Sequence, residues 1–227
     1  MPLRRHRMSS ADYRDAVLAT NPAGYWRLGE PMGSTVARDE MGLHHGIYVG
    51  GPVLGAPGLL AGDADTAMTI AGTTRCVRLS GLSLTGRDFS LAGWVNPSSV
   101  AAGWHPLFGA TTRGAIFGLN GAALKLSSSG VSDAPSATGF AATPGTTYFI
   151  GVSCSGTIVT YFVNGRLVSA HSPFVWGAGG LQTSLGDYDG DLWGGGVLAG
   201  TSDDPVAWAR AISPGVFDDL YRIGMGR

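Results

Sequence analysis

Short apolar runs separated by glycine-rich turns recur along most of this chain, and many alternate residue by residue with polar positions. Successive side chains of a strand point to opposite faces, so alternation marks strands with one face buried. The clearest instance is a three-stranded meander. Residues 147–154 (TYFIGVSC) turn at Ser155-Gly156, residues 157–163 (TIVTYFV) turn at Asn164-Gly165, and RLVSA follows. An Asn-Gly pair between alternating runs is a strong hairpin signal, because both residues tolerate positive φ. FSLAGWV is apolar on both faces, Phe89, Leu91 and Val95 against Ala92 and Trp94, which predicts a central strand covered on both sides. RCVRL (75–79) alternates, and in GYWRLGE Trp26 and Leu28 share one face while Tyr25 and Arg27 share the other. Near the end, Val206 and Trp208 alternate with Ala207 and Ala209 as a half-buried strand does. Pro205 places that strand at a sheet edge or delays its start.

Helical spacing is confined to the two ends. Ser10 caps a helix predicted over 11–19, which Asn21-Pro22 stops. Ser213 caps a second one, with Pro214 in its first turn and Phe217, Leu220 and Tyr221 on one face. Many short strands with regular turns predict one antiparallel β-sandwich over residues 13–227, preceded by a short basic arm at 1–12 that carries Arg4, Arg5 and Arg7.

Composition narrows the function. A net charge of −1 gives no electrostatic basis for binding nucleic acid or an anionic membrane. No apolar run approaches the length of a membrane span, and the N-terminal residues lack the apolar centre of a signal peptide, so synthesis in the cytoplasm is expected. Cys76 and Cys154 both fall in predicted strands, either as two buried thiols or as one bridge between sheets.

Catalytic signatures are sparse. Glu30 and Glu40 are the only glutamates, ten residues apart and beside a loop, and the densest acidic stretch, Asp187 to Asp191, lies in a predicted glycine-rich turn. Retaining glycoside hydrolysis needs two carboxyl groups held about 5 Å apart. His6, His44, His45, His105 and His171 stand in no nucleophile-and-base context, and no phosphate-cradling glycine motif follows a strand. The chain is therefore expected not to be an enzyme. Sugar binding is a better match to the residues present. A pyranose has an apolar face and a hydroxyl rim, which aromatic side chains beside polar groups complement. The loop aromatics Trp104, Trp176, Tyr188 and Trp193 are the candidates, the alternative for each being a place in the core.

TSDDPVAWARAISPGVFDDLYRIG, residues 201–224, resembles the closing signature of laminin G-like, concanavalin A-like jelly-roll domains. The opening YRDAVLATNPAGYWRLGE (13–30) is similar to that of the family's bacterial and tailed-phage members. VARDEMGLHHGIY, FSLAGWVNPSS and TIVTYFVNGRLVSA match its intermediate segments in order. The resemblance implies a concanavalin A-like jelly roll with short terminal helices. It also implies a structural calcium ion joining Asp39 of the early acidic loop to Asp203 of the closing strand, with carbonyls from the loop around Gly42. The expected function is a non-enzymatic virion protein of a tailed phage, a minor tail or capsid-decoration component that touches other virion proteins, forms a homo-oligomer or an assembly, and binds host-surface glycan. The alternative is a secreted or surface bacterial lectin module.

Overall fold

The computed structural model describes residues 10–61, 63–71, 76–84, 88–110, 113–177, 180–188 and 196–227, with the backbone alone over 10–12. The predicted basic arm at Arg4–Arg7 lies outside the described residues. Helix α1 (Ser10–Ala19) is followed by β1 (Gly24–Tyr25), β2 (Val36–Ala37), β3 (Gly46–Val49), β4 (Val53–Pro57), β5 (Thr66–Ile70) and β6 (Cys76–Ser83). Next come β7 (Phe89–Pro97), β8 (Trp104–Ala110), β9 (Ala115–Asn120), β10 (Ala123–Ser128) and β11 (Ser132–Asp133). The chain closes with β12 (Tyr148–Ser155), β13 (Ile158–Val163), β14 (Arg166–His171), β15 (Leu181–Leu185), β16 (Gly200–Trp208) and helix α2 (Pro214–Gly224).

Two antiparallel sheets face each other. The first runs β14-β13-β12-β7-β16-β5-β4, with β1 added against β16; the second runs β11-β10-β9-β8-β15-β6-β3-β2. The inner faces meet in the main core, where Leu91, Val95, Ile150 and Val152 of the first sheet join Leu79, Leu107, Phe117 and Leu119 of the second. The meander forms, with its first turn one residue later than expected, at Gly156-Thr157, and with Asn164 (φ 50°) and Gly165 (φ 76°) making the predicted turn between β13 and β14.

The first sheet is covered a second time. Tyr13 and Val17 of α1 and Phe217 and Leu220 of α2 pack with Ala92, Trp94, Phe149, Phe162, Val206 and Trp208 on its outer face. Phe217 stacks on Phe162 with ring centroids 4.0 Å apart, and the Trp94 indole N–H donates to the Tyr13 hydroxyl at 3.0 Å. Alternation on β7 thus separates two apolar environments, as FSLAGWV predicts. GYWRLGE divides the same way: Trp26 and Leu28 enter the main core and Tyr25 the helix-covered layer.

The closing strand departs from expectation. β16 is central, starts at Gly200, pairs with β7, β5 and β1, and is buried on both faces. Pro205 is accommodated because the register with β7 shifts between Asp203 and Val206, and Asp204 takes φ 50°. A bulge leaves a residue unpaired, so a proline there breaks no ladder bond. Its carbonyl still accepts the Trp26 N–H at 3.0 Å. Cys76 and Cys154 are buried on opposite sheets and are not joined by a disulfide, the first of the two expected states.

Candidate functional site: an aromatic pair on the second sheet

The second sheet carries no helical cover among the described residues, and two of the predicted aromatics meet on it. Trp104 begins β8, and its ring lies 6.1 Å from that of Tyr188 in a T-shaped arrangement. Both are half-buried, and neither belongs to an apolar core. Buried pairs such as Trp26 and Phe108 share the T-shaped geometry; the half-burial of both Trp104 and Tyr188 is what leaves their corner open to a ligand.

Backbone contacts fix this corner. The Tyr188 carbonyl accepts the Ala110 N–H at 3.0 Å, and the Tyr188 N–H donates to the Gly196 carbonyl at 3.1 Å. Asp187 bridges Val197, and the Leu198 N–H donates to the Gly186 carbonyl at 2.8 Å, so the loop leaves and returns along one short ladder. This ladder lies directly on β8. A Cβ at Gly109 would stand 1.8 Å from the Asp187 carbonyl oxygen, and one at Gly196 (φ 114°) would stand 2.2 Å from that of Trp104. Only glycine permits both approaches. The two ring nitrogens of His105 face the Val197 and Ala101 carbonyls at 3.2 and 3.0 Å, tying the loop's return to the segment before β8.

Strand register supplies the polar groups. Asn120 of β9 is directly opposite Trp104, so it shares that face of the sheet, and Lys125 of β10 lies in the next row through Gly118 and Pro106. The Lys125 ammonium sits 5.8 Å from the Trp104 ring centroid and donates to the Asp133 carboxylate at 2.7 Å. Burial by itself would raise the Asp133 carboxyl. The Lys125 and Ser127 hydrogen bonds outweigh it and hold the group below the usual carboxylate range.

The other sequence candidates fall elsewhere. Trp176 packs against Phe89 at 4.7 Å and Phe174 at 6.1 Å beside the main core, so it takes the core alternative. Trp193, Asp189 and Asp191 lie outside the described residues. Lys125, Asn120 and Asp133 are not singled out by sequence. Their only signal is the outward parity of 125 and 127 in ALKLSS, and the pairing β10-β9-β8 that carries them to Trp104 is not local.

Asp39 is a loop organiser. Its Oδ1 accepts the N–H groups of Tyr25 and Met41 at 2.9 and 3.0 Å, and its Oδ2 those of Leu43 and His44 at 3.0 and 2.8 Å. Asp203 instead joins a buried cluster with Asp204, Asp63 and Asp65 around Arg27. Arg27 Nη2 lies 2.8 and 2.9 Å from Asp63 and Asp65, and its Nε is 3.6 Å from Asp204. Asp203 accepts the Leu59 N–H at 2.8 Å, and Tyr25 donates its hydroxyl to Asp204. Asp203 Oδ1 and Asp204 Oδ2 are buried without a hydrogen-bond partner. Burial works against the Arg27 charge, but the surrounding acids, Asp204 first, outweigh it and hold the guanidinium protonated.

Calcium takes about six to eight oxygens. Asp39 has both oxygens committed to the backbone, and Arg27 already supplies positive charge to Asp63, Asp65 and Asp204, the carboxylates that neighbour Asp203. Among the described residues no group of three or more His, Cys, Asp or Glu is arranged to hold a metal. The pair Asp39 and Asp203 therefore does not fit the calcium ion that the resemblance implies.

Comparison with known proteins agrees with the architecture. Domain 4 of AbnA, a GH43 extracellular arabinanase from Geobacillus stearothermophilus solved with arabinotriose, superposes with a TM-score of 0.67. Identity is 19%, over 88% of this chain and 98% of that domain. Trypanosoma rangeli sialidase, solved with 2,3-difluorosialic acid, gives 0.64 at 13% identity, over 89% of this chain and 33% of the sialidase. At these identities the likeness is one of fold. No curated protein matches the sequence. The profile of the concanavalin A-like lectin/glucanases superfamily matches residues 71–215, a span that holds β6 through the closing strand and the first residues of α2. With the two-sheet sandwich and well over half its length matched, this chain belongs to the concanavalin A-like lectin/glucanases superfamily.

Proposed function

We propose that this chain is a non-catalytic carbohydrate-binding domain whose ligand packs on the Trp104–Tyr188 corner. The carrying observation is the pair itself: two half-buried rings outside both cores, held by a glycine-dependent loop beside Lys125, Asn120 and Asp133. The rings take the apolar face of a sugar. The ammonium, amide and carboxylate address its hydroxyl rim, as convergent polar groups do in an apolar site. Superfamily membership and a neighbouring fold solved with arabinotriose support the reading.

The carboxylates of the corner favour binding over hydrolysis. Asp133 is held ionised by Lys125, so it is a poor general acid, and Asp187 is buried and accepts its neighbour's N–H from Tyr188. A glycan array with a parallel reducing-sugar assay tests the proposal. Binding without new reducing ends is expected; release of reducing ends from a bound glycan would refute the non-catalytic reading.

The similarity of residues 13–30 to tailed-phage members supports a place for this domain on a virion, as a minor tail or capsid-decoration component. Immunogold labelling of purified particles tests it. Label on the tail or capsid is expected, and unlabelled particles would leave the bacterial lectin module as the setting.

A further inference from the structure

At the far side of the second sheet, with three strands between it and β8, the edge strand β2 walls a polar cavity of about 490 Å³. Its lining is chemically mixed. Arg27 and Asp65 contribute an ion pair, Pro31 and Val36 contribute apolar surface, and Glu30, Ser34, Thr35, Arg38 and Glu40 complete the wall.

Most charges here are already neutralised within the protein. Arg27 is paired with Asp63 and Asp65. Glu30 accepts the Arg38 N–H at 2.7 Å on one oxygen and the Tyr48 hydroxyl on the other. Glu40 receives Arg14 Nε at 2.6 Å on Oε2, and among the described residues its Oε1 has no side-chain hydrogen bond. Arg38 differs: among the described residues its guanidinium has no ion pair or hydrogen-bond partner, and the side chain is exposed at the cavity wall. The hydroxyls of Ser34 and Thr35 are likewise unbonded among the described residues.

A complementary ligand carries one anionic group for Arg38, several hydroxyls for Glu40, Ser34 and Thr35, and an apolar face for Pro31 and Val36. Guanidinium pairs best with a planar carboxylate, in a two-pronged fork. A bare phosphate or sulfate leaves the carboxylate side of the wall unmatched, and an amino acid has no hydroxyl-rich edge or apolar ring face. The cavity volume lies within the range of about 300–1,000 Å³ that small-molecule sites occupy. We propose that this cavity is a second, separate sugar site, selective for an acidic sugar of the uronic class, with the sugar carboxylate on Arg38. This site shares no residue with the Trp104–Tyr188 corner.

Isothermal titration of the whole chain with methyl β-D-glucuronide and methyl β-D-galacturonide, each against its neutral methyl glycoside, tests this. At least one uronide is expected to bind about tenfold or more tighter than its neutral twin. Arg38→Gln is expected to abolish that preference with an unchanged melting temperature, since Arg38 is exposed and unpaired. Trp104→Ala is expected to leave it intact. No uronide binding, equal binding of the neutral twins, or a preference that survives Arg38→Gln would overturn the proposal. A preference lost on Trp104→Ala but kept on Arg38→Gln would assign the uronide to the aromatic corner instead. Uronide selectivity at Arg38 together with no glycan dependence on Trp104 would leave this site standing and remove the one proposed above.

Discussion

Three carboxylates, Asp63, Asp65 and Asp204, pair with one guanidinium under the closing strand, a fourth, Asp203, adjoins them, and this imbalance predicts an unusual pH dependence. Asp203 and Asp204 are 2% and 1% exposed, and each has an oxygen without a partner. Burial pushes the Asp204 carboxyl from 3.8 up to about 7 even though Arg27 and the Tyr25 hydroxyl pull it down, and burial raises Asp203 as well. An aspartate with a raised folded pKa stabilises the fold most where both states are protonated. As pH rises from about 4 to about 7, the unfolded chain ionises first and stability falls; above about 7 the loss is complete. The Asp204 displacement alone corresponds to about 4 kcal/mol. Urea unfolding of the wild type and Asp204→Asn at fixed pH values between 4 and 8 reads this contribution together with its coupling to Asp203, whose carboxyl the Asp204 charge raises; groups outside the cluster titrate equally in both. Asparagine can still accept the Tyr25 hydroxyl but carries no buried charge. The expected result is that the variant gains stability relative to the wild type as pH rises, by up to about 4 kcal/mol across the window. Parallel stability curves for the two proteins would refute the reasoning, and a relative loss at pH 7 would mean that the Arg27–Asp204 attraction exceeds the cost of burying the charge.

Three further outcomes are expected. Gly109→Ala places a Cβ against the Asp187 carbonyl, so it should cost about 1–3 kcal/mol in thermal or urea unfolding and weaken glycan binding together with it. Asp39→Ala leaves four backbone N–H groups without their acceptor and should cost about 3 kcal/mol or more, read by urea unfolding. Melting curves of the wild type in calcium and in chelator should coincide; a rise in melting temperature that follows free calcium would show that the acidic groups hold an ion after all.

What was legible in the sequence is what local pattern controls. The meander could be read because its turns are two residues long and Asn164-Gly165 has little choice of conformation. β7 could be read because apolar residues on both parities require two covers, which the main core and the terminal helices supply. Pro205 misled because a bulge is a relation between two strands: the shift against β7 that frees the proline from pairing is invisible in residues 200–208 alone. The part Asp39 plays in its loop was not legible for a similar reason, since its four N–H partners come from Tyr25 of β1 and from residues 41–44, which fold back over it. At the site, aromaticity flagged Trp104, Tyr188 and Trp176 alike. What separates them is contact with Phe89 and Phe174 for the last, and a loop ladder on β8 for the first two. Arg27 and its acids draw on the segment after β1, the 63–65 segment and β16, a grouping that only the assembled sheet creates.

The central claim is that glycan is held on the Trp104–Tyr188 corner. It is tested most directly by calorimetric titration of the glycan that binds best on an array, into the wild type, Trp104→Ala and Trp176→Phe. The account predicts that Trp104→Ala weakens binding by about tenfold or more, at a cost of about 1.4 kcal/mol or greater, while Trp176→Phe leaves the affinity unchanged. Full affinity in Trp104→Ala, or a loss confined to Trp176→Phe, would contradict it.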